Sequence, residues 1–272
     1  MLSDITLGQY FPGHSCIHRL DPRTKILATM LYIIAIFFAQ SPLSYGILFA
    51  FLALVIGLSR LPVMLVIRSL KPIWVIVILT LGIHMFTAPG ETVIWSWKFL
   101  SVTAEGLDMG LKMAARLILL LLFSSVLTFT TSPIVLTDGI ESLLRPFKAV
   151  GVPAHELAMM MTIALRFIPT LLEETDRIMK AQTARGADFS SGNILERMKN
   201  MLPLLVPLFI SAFRRADELA VAMEARCYRG GEGRTRMHQL AYALLDYVAF
   251  GTVLVLLAGL AFLRWGSGLC VL

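Results

Sequence analysis

The sequence predicts an all-α polytopic membrane protein, with about five transmembrane helices and three cytoplasmic or interfacial helices inserted before the last span. Three observations carry that prediction. The 272 residues are 57% hydrophobic and only 15% charged, against about 45–50% and about 25% in soluble domains. The charge is also concentrated: 14 of 24 Lys and Arg and 12 of 18 Asp and Glu fall between residues 133 and 238. The flanks of that segment are long apolar runs.

Those runs, in order, are KILATMLYIIAIFFAQ (25–40), LSYGILFAFLALVIGLS (43–59), PIWVIVILTLGIHMFTA (72–88), GLDMGLKMAARLILLLLFSSVLTFT (106–130) and LAYALLDYVAFGTVLVLLAGLAFL (240–263). A span needs roughly 20 residues, so the ends of the first three are loosely set. Arg19, Arg23 and Lys25 precede the first run, and Arg60, Arg68 and Lys71 follow the second. The turn at 41–42 has no basic residue, and the 89–105 loop has Lys98 alone. Lys and Arg accumulate on cytoplasmic loops, which places the N-terminus and the 131–238 segment in the cytoplasm. The expected organisation is a membrane domain over 1–130, a cytoplasmic module over 131–238 and a last transmembrane helix over 239–272. No cleavable signal peptide is expected, because Asp4 and Gln9 precede any apolar run.

Inside the module, 133–150 reads as a helix ended by Gly151-Val152-Pro153. Residues 154–185 read as a second helix containing Pro169, and 193–227 as a third, with Asn193 as N-cap and kinks at Pro203 and Pro207. Each long helix spans roughly 50 Å at 1.5 Å per residue. Their first halves, LAMMMTIALRFIPTLL and MLPLLVPLFISAF, are apolar almost all round, and their second halves are amphipathic. Such a helix buries its first half at a membrane or an apolar partner and extends its second half into water. Met159-Met160-Met161 supplies an adaptable surface for a partner.

The ends of the two long helices repeat each other. Asp176, Ile178, Ala181, Ala184 and Arg185 recur forty-one positions later as Asp217, Leu219, Ala222, Ala225 and Arg226. The paired alanines are three apart and share a helix face, so another surface can approach the backbone closely. An Arg at a helix C-terminus is favoured by the dipole, and Gly186 reads as a left-handed residue closing the helix. One Ala-Arg-Gly is an ordinary cap. Two matching ends suit a paired docking device facing a two-fold-related receptor.

Other functions fit the sequence less well, a polytopic membrane enzyme being the runner-up from another class and a self-contained channel or carrier the third reading. The basic residues are mixed with acids, without the aromatic platform of a single-strand binder. No G-x-x-x-x-G-K-[ST] is present, Gly110-Leu111-Lys112 being misspaced, so no phosphate loop holds ATP in this chain. His155-Glu156 lacks the second His of a zinc-protease helix. A membrane enzyme built on 84–116 would need convergent polar groups, and those present are scattered. A self-contained carrier would show repeated spans, and the only repeat is the pair of helix ends. Cys16, Cys227 and Cys270 make no disulfide framework.

With these features in place, the chain resembles the transmembrane T component of energy-coupling factor transporters, the family that includes the cobalt-transporter membrane subunit. The resemblance runs through GQYFPGHSCIHRLDPRTK (8–25), TTSP (130–133), ALRFIP (164–169), AQTARG (181–186) and AMEARCYRG (222–230). It implies a non-catalytic scaffold in a bacterial or archaeal cell membrane. Two long coupling helices cross, and their arginine ends sit in grooves of two ABC-type ATPase subunits, which bind the ATP and Mg; no cofactor is implied in this chain. It assigns ATPase coupling to Ala184, Arg185, Gly186, Ala225, Arg226 and Cys227. The apolar parts of the coupling helices hold a small substrate-binding membrane S component, with Met159, Met160, Leu165, Leu205 and Phe209 as contacts. The substrate is a vitamin in the first reading and cobalt or nickel in the second. Asp21, Pro22, Arg23, Lys25, Arg166 and Pro169 belong to structural signatures.

The chain departs from the family at Cys227, where Gly is usual. A left-handed backbone there is strained for Cys, and Gly230-Gly231 offers relief. Asp108, Lys112 and Arg116 share one face of the fourth span and are expected to pair and snorkel. Arg166, one turn before Pro169, is expected to bond carbonyls the proline frees. His14, Cys16 and His18 alternate, but are expected to pack the start of the first span rather than bind metal.

Overall fold

The computed structural model describes residues 10–87, 92–97, 100–187, 189, 194–230 and 240–269. Its helices are α1 (Pro22–Phe38), α2 (Pro42–Ser59), α3 (Val63–Arg68), α4 (Trp74–Thr87), α5 (Ala104–Thr130), α6 (Pro133–Leu144), α7 (Ala154–Ala184), α8 (Ile194–Ala225) and α9 (Leu244–Leu269). A 3₁₀ turn, Arg145–Val150, follows α6. The chain divides into two compact units: Gly8–Gly139 with Leu240–Leu272, and Met1–Leu7 with Ile140–Gln239. Asn193, the expected N-cap of α8, lies outside the described residues.

The protein is an all-α polytopic membrane protein. α2, α5, α7 and residues 244–265 of α9 are long and apolar enough to cross a bilayer, and α4 is a shorter apolar helix. α1, at 17 residues, is also short. One local difference from the sequence reading is an antiparallel ribbon between α4 and α5, β1 (Val93–Trp97) paired with β2 (Leu100–Thr103). The 89–105 stretch was expected to be plain loop. Val93, Ile94, Trp95, Val102 and Thr103 are strand-favouring types, and a search for 20-residue apolar runs passes over them.

Helix starts repeat one device. Asp21 and Ser41 are N-caps followed by Pro22 and Pro42 at the first helical position. The cap oxygen accepts from Arg23 N at 2.9 Å and Ser44 N at 3.3 Å. Proline suits that position because its missing N–H would be unsatisfied anyway.

α5 is the hub of the membrane unit, packing on α1, α2, α3 and α4, while α9 packs on α1. The α4–α5 seam is made by Gly106, Gly110 and Ala114, all buried. A Cβ on Gly106 would come within 2.9 Å of His84 O, and one on Gly110 within 3.2 Å of Leu81 O. In lipid, close backbone approach across small residues drives helix association better than apolar burial does. At the centre, Tyr32 stacks on Phe123 with ring centroids 3.9 Å apart, against Leu48, Leu119 and Leu260. The buried Tyr32 hydroxyl donates to Leu48 O at 3.0 Å, since no water is at hand to satisfy it.

Candidate functional site

The two repeated helix ends close in the same way. α7 ends at Ala184, Arg185 is the C-cap, and Gly186 takes a φ of +92°. Gly186 N donates to Thr183 O at 2.9 Å and Ala187 N to Gln182 O at 3.0 Å. α8 ends at Ala225, and Cys227 takes a φ of +55°. Cys227 N donates to Glu224 O at 2.8 Å and Tyr228 N to Met223 O at 3.1 Å. Both are complete Schellman motifs, which satisfy two orphan carbonyls and turn the chain sharply back. Ala181, Ala184, Arg185 and Gly186 are exposed, as are Ala222, Ala225, Arg226 and Cys227. Each end therefore presents a bare small-residue face with a guanidinium beside it. Cys227 itself adopts the left-handed conformation, and Gly230 three residues on also takes a positive φ, +88°, so the glycine makes a second turn without sparing Cys227 its strain; Gly231 lies outside the described residues.

α7 and α8 run antiparallel against each other. Arg215 pairs with Glu174 at 2.8 Å, and Gln182 Nε2 donates to Pro203 O at a long 3.5 Å. The second bond has a specific cause. Pro207 has no N–H, so the carbonyl four residues back, that of Pro203, has lost its helical donor, and a side chain of the facing helix takes that place. Neither helix is broken at Pro169, Pro203 or Pro207. A 31-residue helix is about 46 Å long, so antiparallel packing separates the two arginine ends by a distance on the order of 40 Å.

The apolar faces of these helices are open. Met160, Leu205 and Phe209 are exposed and Leu165 is half-buried. Met159 is turned inward, lining a groove of about 520 Å³ with Ile163, Phe167, Ala216, Leu219 and Met223. Arg166 corrects an expectation: it is exposed and bonds no carbonyl near Pro169 among the described residues. A long arginine on an outward helix face reaches away from its own backbone, so the carbonyl freed by Pro169 is beyond it.

The N-terminal signature builds a buried polar cluster within the membrane unit. Lys25 is 7% exposed, and its Nζ donates to His18 O at 3.2 Å, Thr130 O at 3.0 Å and Thr131 Oγ1 at 3.3 Å. Three acceptors match the three N–H of an ammonium. Arg23 donates to Leu240 O at 3.5 Å, lies 5.2 Å from the Tyr242 ring centroid and faces Asp21 at 3.8 Å. Asp246, 2% exposed, accepts from Asp21 N and from Ala243 N, both at 2.8 Å. One carboxylate thus caps its own helix and ties it to the start of α1. Sequence reasoning missed Asp246. The signal was an acid early in an apolar run, at the third position of a helix where it can reach back to the cap.

His18 has a packing role. Its Nε2 donates to Phe11 O at 3.1 Å and its Nδ1 accepts from Ser15 Oγ at 2.7 Å, a tautomer set by those partners. Burial lowers its pKa below the usual histidine value, and neither ring nitrogen is left for a metal. No cluster of three His, Cys, Asp or Glu exists among the described residues. On α5, Lys112 pairs with Asp108 as expected, whereas Arg116 turns away to the Tyr45 hydroxyl at 3.5 Å and the Phe37 ring at 5.2 Å.

Residues 13–238 match the family described as cobalt transport protein, CbiQ. The chain is 70% identical over 266 residues to the energy-coupling factor transporter transmembrane protein EcfT of Acidaminococcus fermentans, covering 98% of this chain and 99% of that one. It is 57% identical to the protein of that name from Ruminiclostridium cellulolyticum, covering 94% and 95%. With the one from Bacillus subtilis it shares 48% over 97% of this chain and all of that one. The chain belongs to the CbiQ/EcfT family, the transmembrane components of energy-coupling factor transporters.

Proposed function

We propose that this chain is the scaffold through which two ATPase subunits drive a substrate-binding membrane S component, for uptake of a vitamin. The observation that carries the reading is the pair of helix ends, forty-one residues apart, closed by the same motif and each exposing two alanines and an arginine. A guanidinium offers a planar fork to carboxylates or carbonyls of a groove, and the alanines let the groove wall reach the backbone. The distance between the ends suits two receptors rather than one.

ATP and Mg bind the partner ATPases in this reading, and this chain performs no chemistry. The Lys and Arg of the short loops support a cytoplasmic N-terminus and a cytoplasmic 131–238 module in a bacterial or archaeal cell membrane. The exposed Met160, Leu205 and Phe209 support apolar docking of the S component on the coupling helices. A dedicated cobalt or nickel importer is the second reading, favoured by the matched family's description.

The test is the double substitution Arg185→Glu and Arg226→Glu, with copurification of the ATPases and uptake measured together. Loss of both is expected. Normal assembly with unimpaired uptake rejects the proposal. Mass spectrometry of proteins copurifying with the unaltered chain identifies the partners and, through the S component, the substrate.

A further inference from the structure

The chain leaves the membrane unit after Gly139 and returns to it at Leu240. Residues next to both crossings touch one turn of one helix. On the outgoing side, Lys25 holds Thr130 O and Thr131 Oγ1. Gly139 packs so closely on the same turn that a Cβ there would lie 3.0 Å from Pro22 Cβ and 3.2 Å from Ile26 Cδ1. On the returning side, Arg23 holds Leu240 O and covers the Tyr242 ring, and Asp21 N is held by Asp246.

We infer that the first turn of α1 is a fixed clamp on both chain crossings, so that movement of the 140–239 module acts on the membrane helices instead of being lost in its connections. Lys25, Arg23, Asp21 and Asp246 are positioning residues for transport. The inference rests on the coupling role proposed above.

The chemistry suits a clamp that stays shut. Lys25 and Arg23 against Asp21 and Asp246 make two cations and two anions, so the cluster carries no formal net charge. Lys25 has three acceptors, and the two oxygens of Asp246 each have a backbone donor. Arg23 Nε is buried 3.8 Å from Asp21 without a hydrogen-bond partner among the described residues, so the satisfied bonds at Lys25 and Asp246 carry the rigidity, buried polar groups holding firmly only where they are paired. An amide at 246 keeps one accepting oxygen and loses the other, so Asp246→Asn breaks one of the two ties with little change in shape. Arg23→Gln removes the reach to Leu240 and Tyr242.

The experiment uses the assembled transporter in liposomes, comparing the unaltered chain with the double variant Arg23→Gln, Asp246→Asn. ATP hydrolysis is measured beside uptake of whichever of tritiated riboflavin, tritiated folate or cobalt-57 the unaltered complex accumulates. The variant is expected to assemble and to hydrolyse ATP within about twofold of the unaltered complex, while uptake per ATP falls at least tenfold. Unchanged uptake per ATP overturns the clamp. So does a parallel loss of assembly and hydrolysis, which marks a merely structural role.

Amide exchange gives a reading independent of cargo. The N–H groups of Asp21 and Ala243 should both exchange slowly in the unaltered complex with and without ATP and vanadate, and the one that loses its acceptor should exchange at least tenfold faster in the variant. Their opening during turnover in the unaltered complex also overturns the proposal. Arg185→Glu with Arg226→Glu is the control. If that pair leaves the ATPases bound, the coupling role itself fails. If it releases them while the clamp variant transports normally, only the clamp fails.

Discussion

The C-terminal ends of α7 and α8 differ at one position that matters. Gly186 closes the first and Cys227 the second, yet both take a left-handed backbone and the same pair of backbone hydrogen bonds. A β-carbon in that region costs about 1–2 kcal/mol, and nothing in the second sequence avoids it. What the two ends share is therefore the sharp turn after the arginine and the exposed alanine face, not glycine. The backbone shape is the invariant, and glycine is the residue that reaches it with least strain.

The largest expected effect tests whether the ends are functionally equivalent. Arg185→Glu alone and Arg226→Glu alone should each lower ATPase copurification at least tenfold, to within about threefold of each other. A glutamate reverses the charge and offers no donor to the groove that the proposed function requires. One silent substitution would show that the two matching caps serve different purposes.

Next come the alanines. Ala184→Leu and Ala225→Leu keep helix propensity and face solvent, so stability should shift by less than about 0.5 kcal/mol. Copurification should nonetheless fall severalfold, because the added side chain holds a groove wall off the backbone. An unchanged yield at both ends would leave the arginines as the sole contact. Circular dichroism on the purified chains checks that helicity is kept.

The two ends also show what could be read without coordinates. The forty-one-residue repeat, the helix bounds of α7 and α8 within about two residues, and Gly186 as the closing residue follow from apolar runs, spacing and a local backbone preference. The left-handed turn at Cys227 was legible only as a question, because both Cys227 and Gly230 take positive φ and no local preference says that the cysteine must do so beside an available glycine. Long-range polar pairing was less legible. Lys25 meeting Thr130, and Asp21 meeting Asp246, join residues more than a hundred positions apart, and no local pattern encodes that. The Gly106-x-x-x-Gly110-x-x-x-Ala114 seam was open to view as a small-residue repeat in an apolar run. It was overshadowed by the charges at Asp108, Lys112 and Arg116 interleaved with it. Arg166 misled because an arginine in an apolar run reads as buried, whereas an outward helix face leaves it exposed.

A smaller effect separates Gly186 from Cys227 directly. Gly186→Ala should weaken the end of α7 by about 1–2 kcal/mol through its positive φ alone, since an added Cβ meets nothing within 4 Å. Cys227→Gly should strengthen the end of α8 by about 1 kcal/mol. Amide exchange at Ala187 and Tyr228 reads each change locally: roughly fivefold or more faster in the first, and about fivefold slower in the second. If Cys227→Gly instead lowers uptake while tightening the turn, the cysteine is retained for a contact of its own.

The smallest effect lies where the helices meet rather than where they end. Glu174 and Arg215 pair at 2.8 Å, with side chains 24% and 33% exposed. Partly solvated pairs of this kind contribute about 0.2–1 kcal/mol. Glu174→Gln and Arg215→Gln, alone and together, should therefore give a coupling energy below about 1 kcal/mol in a double-mutant cycle on the unfolding of the purified chain, diminishing in high salt. ATPase copurification should not change, because the tips keep their caps and their exposed faces. A large loss of copurification would mean that the ATPases respond to the angle at which α7 and α8 are held together. Identical caps would then be necessary and still not sufficient, and the comparison between the two ends would have to include the crossing that sets where each one points.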